Sequence, residues 1–321
     1  MLKDLLEGKQ CFKLVCGAGN EDATEVEKLV TIYSKAGCQF FDVCAKPEIV
    51  DAAKKGLKNA GIDKDRYICV SVGIAGDPHI TKATIDKTKC LECGKCKDIC
   101  IHEAIYNNGV FNIKSERCLG CGQCEKSCPA KAIQMVSNIK DYKEILPELI
   151  QKGIDCIEFH AISVDENDVD EKWQEINDLY SGMLCISLDR SELGDKKLKD
   201  RVARMLEKRK PYTTIIQADG VAMSGSDDEY GTTLQAVATA QLFQNANFPV
   251  FIMMSGGTNT KSTELAKLCN VYPNCLAVGS YARKIVKDYL NKENLLEDEK
   301  LLNEAVSIAK KLVSTTLENM K

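Results

Sequence analysis

The sequence predicts an α/β fold: a (β/α)8 TIM-like barrel with a smaller, cysteine-rich α+β module set into one of its loops. Three observations carry that reading. Short β-branched or apolar runs alternate with longer segments of helical period along most of the chain. Eight such runs occur, each leading into a turn signal and an amphipathic stretch. The alternation breaks once, after the third run, at a segment holding eight of the 17 cysteines.

The first three strands are expected at 12–16, 39–43 and 67–72, with helices at 22–36 and 47–59 between them. After the break, helices at 139–152, 171–180, 195–208, 234–245 and 262–269 alternate with strands at 156–160, 184–188, 213–218, 250–254 and 275–278. The last helix is doubled, 283–290 and then 297–320, where apolar residues recur at three- and four-residue steps. Setting the interruption aside leaves a length close to the roughly 250 residues typical of a (β/α)8 barrel. The chain thus divides into 1–76 (strands one to three), an insert at 77–136, and 137–321 (strands four to eight and the terminal helices). A doubly wound open sheet is the competing arrangement. Eight units in unbroken alternation fit closure better.

The insert repeats one spacing twice: Cys90, Cys93, Cys96 and Cys100, then Cys118, Cys121, Cys124 and Cys128, followed by Pro129. That is the spacing of bacterial two-cluster ferredoxins, which predicts two [4Fe–4S] clusters. In that pattern the fourth cysteine of each run ligates the other cluster. Cluster one then takes Cys90, Cys93, Cys96 and Cys128, and cluster two takes Cys118, Cys121, Cys124 and Cys100. Gly94, Gly120 and Gly122 let the backbone wrap closely. Zinc also uses Cys-x2-Cys pairs, but it does not need the third cysteine and the x3-Cys-Pro ending. His102 stands beside cluster two as a tuning group or as an exposed turn residue.

With 44% hydrophobic and 28% charged residues the composition is that of a soluble protein, and no run approaches the roughly 18 apolar residues of a membrane span. No export signal is evident, so a cytoplasmic location and reduced thiols are expected. The nine cysteines outside the insert then read as small core residues. A net charge of −4 without a basic stripe argues against nucleic acid as a partner.

Barrels of this kind build their sites at the C-terminal ends of the strands. Polar residues cluster there: Asn20, Asp42, Glu158, His160, Asp189, Arg190, Gln217 and Asp219. Glu158 and His160 alternate on strand four and should both face the barrel interior. Of these, Glu158, His160, Asp189, Arg190, Gln217 and Asp219 are the candidate catalytic residues, with solvated or structural ion pairs as the alternative. Ser255, Gly256, Gly257 and Thr258 after strand seven, with Gly279 and Ser280 after strand eight, are candidates with Asn20 for holding a cofactor phosphate. FMN or another phosphate-bearing ligand fits that expectation; tight turns are the plainer one. Cys16 and Cys44, at strand ends, are candidate redox thiols, and His79 a candidate link between barrel and clusters.

Four motifs together resemble the LdpA (light-dependent period modulator) proteins of cyanobacteria. They are Cys16-Gly17-Ala18-Gly19-Asn20, Gly76-Asp77-Pro78-His79, Ser255-Gly256-Gly257-Thr258-Asn259 and Gly279-Ser280-Tyr281-Ala282-Arg283-Lys284. The resemblance implies an iron–sulfur protein that senses redox state and reports it to the circadian clock. The architecture is also similar to flavin barrels of the dihydroorotate and dihydropyrimidine dehydrogenase type, without a match to their catalytic loop. Three functions follow as expectations. One is an iron–sulfur oxidoreductase passing electrons from the clusters to a small molecule at the barrel mouth. The others are a redox sensor signalling to a protein partner, and an electron-transfer subunit of a larger complex. Each implies a redox partner such as a ferredoxin, a flavodoxin or an oxidoreductase subunit.

Overall fold

The structure, a computed structural model, describes residues 1–62, 64–75, 77–137, 139, 141–190, 193–221 and 226–320. Gly76 of the Gly-Asp-Pro-His motif lies outside them. The chain opens with α1 (Leu2–Glu7), β1 (Cys11–Val15), α2 (Ala23–Lys35), β2 (Phe40–Cys44), α3 (Pro47–Ala60) and β3 (Tyr67–Gly73). The insert carries β4 (Thr81–Ile85), α4 (Lys95–Asp98), β5 (Ile105–Asn107), β6 (Phe111–Ile113), α5 (Gln123–Ser127) and β7 (Ile133–Ser137). Next come α6 (Tyr142–Gln151), β8 (Cys156–His160), α7 (Glu166–Leu179), β9 (Met183–Leu188), α8 (Asp195–Leu206) and β10 (Thr214–Asp219). The remainder is α9 (Tyr230–Ala246), β11 (Phe251–Ser255), α10 (Ser262–Leu268), β12 (Cys275–Val278), α11 (Ser280–Ile285), α12 (Lys287–Leu290) and α13 (Glu299–Asn319).

Eight parallel strands close in the order β1, β12, β11, β10, β9, β8, β3, β2, with β2 pairing back to β1. This is the expected barrel, and the open-sheet alternative is excluded. Some helix ends differ. Helices α7 and α9 begin about one turn earlier than expected, because their first turns are mostly polar. The expected 283–290 helix starts at Ser280 and divides at Val286 into α11 and α12. The short helix α1 had no counterpart in the sequence reading.

Side chains alternate across each strand, so every second residue enters the barrel. At the N-terminal end these are Cys11, Phe40, Cys69, Cys156, Cys185, Ile215, Phe251, Met253, Cys275 and Ala277, an apolar cluster that Leu2 and Leu6 of α1 complete. Five of the nine cysteines outside the insert are thus packing residues of the barrel floor. Cys16, Cys38 and Cys44 are also buried, and Cys269 is half-buried.

The insert follows β3. Strands β4 and β7 pair antiparallel from Thr81 opposite Ser137 to Ile85 opposite Ile133, and β5 pairs with β6. The insert therefore closes one residue beyond the expected limit of 136. At its start, Asp77–Ile80 pack on the barrel instead. The Asp77 carboxylate caps a 3-10 turn, Pro78–Ile80, by accepting from the His79 N–H, and the Thr81 hydroxyl donates to the Asp77 carbonyl.

The insert sits over the C-terminal ends of the strands. The Lys82 amine donates to the carbonyls of Gly19 (2.5 Å) and Cys118 (2.7 Å), while Arg117 pairs with Glu25 at 2.8 Å and Lys287 with Glu103 at 2.9 Å. Partly exposed ion pairs of this kind contribute only about 0.2–1 kcal/mol each. Backbone fit matters more. Gly120 has φ +75°, and a Cβ there would collide with the Pro78 carbonyl and approach that of Thr81 to 2.6 Å. Gly122 has a similar φ of +71° but open space around it. Gly122→Ala should therefore cost only the roughly 1–2 kcal/mol of a left-handed alanine. Gly120→Ala should cost that plus displacement of the insert. Thermal unfolding with iron analysis compares the two, and equal losses would rule out this account of the seating.

Candidate functional site

Above the apolar floor the barrel interior turns polar. The Lys13 side chain, 0% exposed, donates from Nζ to Glu158 Oε2 and to Gln217 Oε1 (3.3 Å), and lies 3.7 Å from Asp42 Oδ1. Asp42 accepts from the Ser71 hydroxyl at 2.7 Å. Gln217 Nε2 donates to Glu158 Oε1 at 2.8 Å, and Ser187 donates to Asp219 Oδ2 at 2.5 Å. Burial opposes the Lys13 charge, but Asp42 and Glu158 outweigh it and keep the amine protonated. Burial would likewise raise Glu158; Lys13 and His160 reverse this and hold its carboxyl below the usual range. Asp42 and Asp219 are different. Burial pushes each up to about 6, against the pull of Lys13 on Asp42 and with the help of the Glu158 charge on Asp219.

At the mouth, Asp77 is fully buried beneath two imidazoles. His160 Nδ1 lies 2.7 Å from Asp77 Oδ2, and His79 Nδ1 lies 3.0 Å from Asp77 Oδ1. His160 Nε2 faces Glu158 Oε1 at 3.2 Å. The two rings meet edge to face, 4.7 Å between centroids. Burial disfavours a charged His160, but Asp77 and Glu158 raise it well above the usual histidine range. Burial also disfavours a charged Asp77, yet His160 and His79 lower its carboxyl well below normal.

Several of these groups, Asp42, His79 and Ser187 among them, border a cavity of about 150 Å³. Of the candidate catalytic residues, Glu158, His160, Asp189, Gln217 and Asp219 line it. Arg190 does not; it pairs with Asp195 at 2.6 Å. Ser255, Gly256, Gly257, Thr258, Gly279 and Ser280 form another part of the wall, although the Thr258 hydroxyl already donates to the Ala277 carbonyl at 2.5 Å. Asn20 lies elsewhere, its amide bound to the Cys16 carbonyl and to Glu25. The Cys16 thiol is pushed up by burial and then by Asp42, so it stays protonated.

The cysteines of the insert fall into two sets. Cys90, Cys93, Cys96 and Cys128 surround one small cavity with Ile85, Phe111 and Ile133. Cys100, Cys118, Cys121 and Cys124 surround a second with Ala83, Ile113 and Met135. Each set exchanges its fourth cysteine with the other run. Backbone N–H groups of Glu92, Ala132 and Ala83 point at the sulfurs of Cys90, Cys128 and Cys118 at 3.3–3.4 Å. Burial and the neighbouring Cys118, Cys121 and Cys100 push the Cys124 thiol up to about 12. Four soft donors crowded in an apolar shell with N–H groups turned to sulfur suit an iron–sulfur cluster.

The two sulfur sets are not equally placed. Cys93 is exposed, and its neighbour Leu91 is 69% exposed. The second set lies against the barrel, where Leu119, 5% exposed, is in the wall of both the Cys118 cavity and the mouth cavity. Leu119 also borders a larger groove of about 570 Å³ between insert and barrel, with Arg117, Arg283, Lys284 and Lys287 along it and Asn20, His102 and Ser280 in its lining. Burial, then Arg283, Lys287 and Arg117, lower His102 to about 3, so it is neutral.

Two central residues escaped the sequence reading. Lys13 is one lysine within an apolar strand, Cys-Phe-Lys-Leu-Val, and that anomaly was the available signal. Asp77 is the other: it precedes a proline, a turn-forming context, yet it also anchors both histidines.

Comparison with known proteins agrees with this layout. Residues 148–315 match the family described as the Light dependent period A C-terminal domain, and residues 83–135 match the 4Fe-4S dicluster domain. The chain is 29% identical over 332 aligned residues to Light dependent period A of Synechococcus elongatus, covering 98% of this chain and 91% of that protein. Among solved structures, the YdjI aldolase from Escherichia coli K12 has 8% identity and a TM-score of 0.49, covering 99% of this chain and 91% of its own. Tryptophan synthase from M. tuberculosis has 9% identity and a TM-score of 0.46, covering 99% and 96%. Likenesses this remote say nothing about chemistry. The family match spans more than half of the chain, and its C-terminal barrel strands and dicluster insert are those seen in the structure: the protein belongs to the Light dependent period A family.

Proposed function

We propose that the chain is an iron–sulfur oxidoreductase in which a two-cluster insert exchanges electrons with a small molecule held in the barrel-mouth cavity. Cys90, Cys93, Cys96 and Cys128 hold one [4Fe–4S] cluster, and Cys118, Cys121, Cys124 and Cys100 the other. The clusters supply one-electron steps. The observation that carries the reading is Leu119, one buried side chain shared by the walls of the second sulfur set and the mouth cavity. Its apolar bulk keeps water from the short path between them. The first set, with Cys93 and Leu91 exposed, serves as the contact for a redox partner of ferredoxin, flavodoxin or oxidoreductase-subunit type.

Inside the cavity, the chain's own groups handle protons. Asp219, with a carboxyl near 6, lies on the cavity wall and is oriented by Ser187 and Gln217, so it gives or takes a proton near neutrality. Lys13 does not line the cavity; it fixes Glu158 and Gln217 from below. A cavity of about 150 Å³ is below the roughly 300 Å³ at which pockets for drug-sized ligands begin. The substrate is therefore small, and a phosphate-bearing ligand such as FMN is better served by the basic groove beside Arg117, Arg283 and Lys287.

A regulatory role, in which cluster state is passed to a protein partner, is favoured by the nearly full-length similarity to Light dependent period A. It predicts partner binding that depends on cluster oxidation state, with no turnover.

Anaerobically purified protein should contain about eight irons per chain, and Cys128→Ala should lose one cluster's share while retaining the fold. Stoichiometric zinc in place of iron would falsify the cluster assignment. Flavin absorbance at one per chain checks the groove. For the cavity, a small-molecule ligand should perturb the electron paramagnetic resonance of the reduced clusters, and Asp219→Asn should weaken that response at unchanged iron. Identical spectra with and without every ligand of a broad screen would overturn the oxidoreductase reading.

The Asp219 carboxyl also sets a pH dependence. Its folded value, about 6, is above the unfolded one, so its stabilising contribution is complete below about pH 4 and is lost as pH rises through 6. Asp219→Asn, which stays neutral, should gain stability over wild type as pH rises, levelling at about 2–3 kcal/mol above pH 7. Unfolding midpoints at pH 5 and pH 8 measure it; a constant offset between them contradicts the assignment.

A further inference from the structure

We propose that Asp77, His79 and His160 form a mononuclear site for a divalent transition-metal ion of the zinc or ferrous class, separate from the iron–sulfur module and open to the mouth cavity. The ligand atoms are already gathered. One ring nitrogen of His79, one of His160 and a carboxylate oxygen of Asp77 all lie within 4.8 Å of one another. The carboxylate presents one oxygen to each ring, 3.0 Å to His79 and 2.7 Å to His160. Two imidazoles and one carboxylate suit zinc or ferrous iron, where calcium and magnesium prefer all-oxygen sites.

Three further features fit a metal site better than a simple hydrogen-bonded triad. The far nitrogen of His160 is held by Glu158 at 3.2 Å, the outer carboxylate that typically fixes the orientation of a metal-bound histidine. The carboxylate is set hard against the backbone of β3: a Cβ on Gly73 would overlap Asp77 Oδ2, so the residue type at 73 leaves room for that placement. Both histidines line the cavity, where a substrate could complete the coordination. A second group of donors nearby, Asp42, Cys69 and Glu158, has the same spacing but differs in one respect. The Lys13 ammonium stands between Asp42 and Glu158 and is already paired with both. No lysine or arginine is paired with Asp77 among the described residues, where its ion-pair partners are the two imidazoles.

This inference stands apart from the oxidoreductase reading, because a metal at Asp77 requires neither cluster nor substrate. The test uses the full chain with its clusters intact, washed with chelator under anaerobic conditions and then incubated with zinc alone. After gel filtration, one zinc per chain should remain in addition to the iron. His79→Gln, at a half-buried position, should weaken zinc retention by more than a hundredfold with iron unchanged. Glu158→Gln, which removes the outer partner and leaves all three ligands, should weaken it by about 10–100-fold. Zinc-edge absorption should show nitrogen and oxygen neighbours at about 2.0–2.2 Å. A sulfur shell at about 2.3 Å, retention unaffected by His79→Gln, or no zinc retained by iron-replete protein would each overturn the proposal. Iron content in the same samples reports on the cluster module independently.

Discussion

The Asp77 carboxylate, with no solvent exposure, holds three parts of the molecule together. One oxygen meets His160 at the end of β8, the other meets His79, and the same residue caps the turn from which the insert departs. The insert's first strand begins only four residues later, at Thr81, whose hydroxyl returns to the Asp77 carbonyl. Moving this carboxylate would therefore disturb the barrel mouth and the insert's attachment together. Its charge is tolerated in a buried position because two imidazoles face it, and that places the imidazoles at the rim of the cavity. Position and charge compensation come from one contact.

The cysteines show how one residue type serves two environments. In the insert they converge in fours around small cavities, with N–H groups turned to sulfur. In the barrel, Cys11, Cys69, Cys156, Cys185 and Cys275 are spread over five strands and pack against phenylalanine, isoleucine and methionine. Burial raises the pKa of Cys69, Cys156, Cys185 and Cys275 there, which keeps these thiols protonated and poor as nucleophiles or ligands.

The barrel and the sulfur sets were legible for different reasons. Strand positions follow from local composition, since each strand is a mostly apolar run bounded by turn residues. The cluster cysteines follow from spacing. The interior polar network was only half legible. Glu158, His160, Gln217 and Asp219 declare themselves as polar residues in apolar strands, yet their partners cannot be read locally. Lys13 meets Glu158 across 145 residues of sequence and Gln217 across 204, so only closure of the barrel makes that network visible. Helices α7 and α9 were misplaced at their starts for the converse reason: polar first turns, Glu166–Asp168 in one case, lack the apolar stripe by which a helix is recognised. Arg190 appeared to belong with Asp189 because they are adjacent, but it pairs with Asp195 and lies outside the cavity lining.

The helix α1 gives the barrel a direction. Leu2 and Leu6 stopper its N-terminal end over a layer of sulfur and hydrocarbon, so the interior is a blind well. Among the described residues, the open end of the barrel is the one on which the insert sits. In the function proposed above, arrival and departure share that one end, and the molecule that fills the cavity also shuts out the next. On that reading traffic is single-file, paced by how readily the occupant is released from beneath the sulfur-bearing lid.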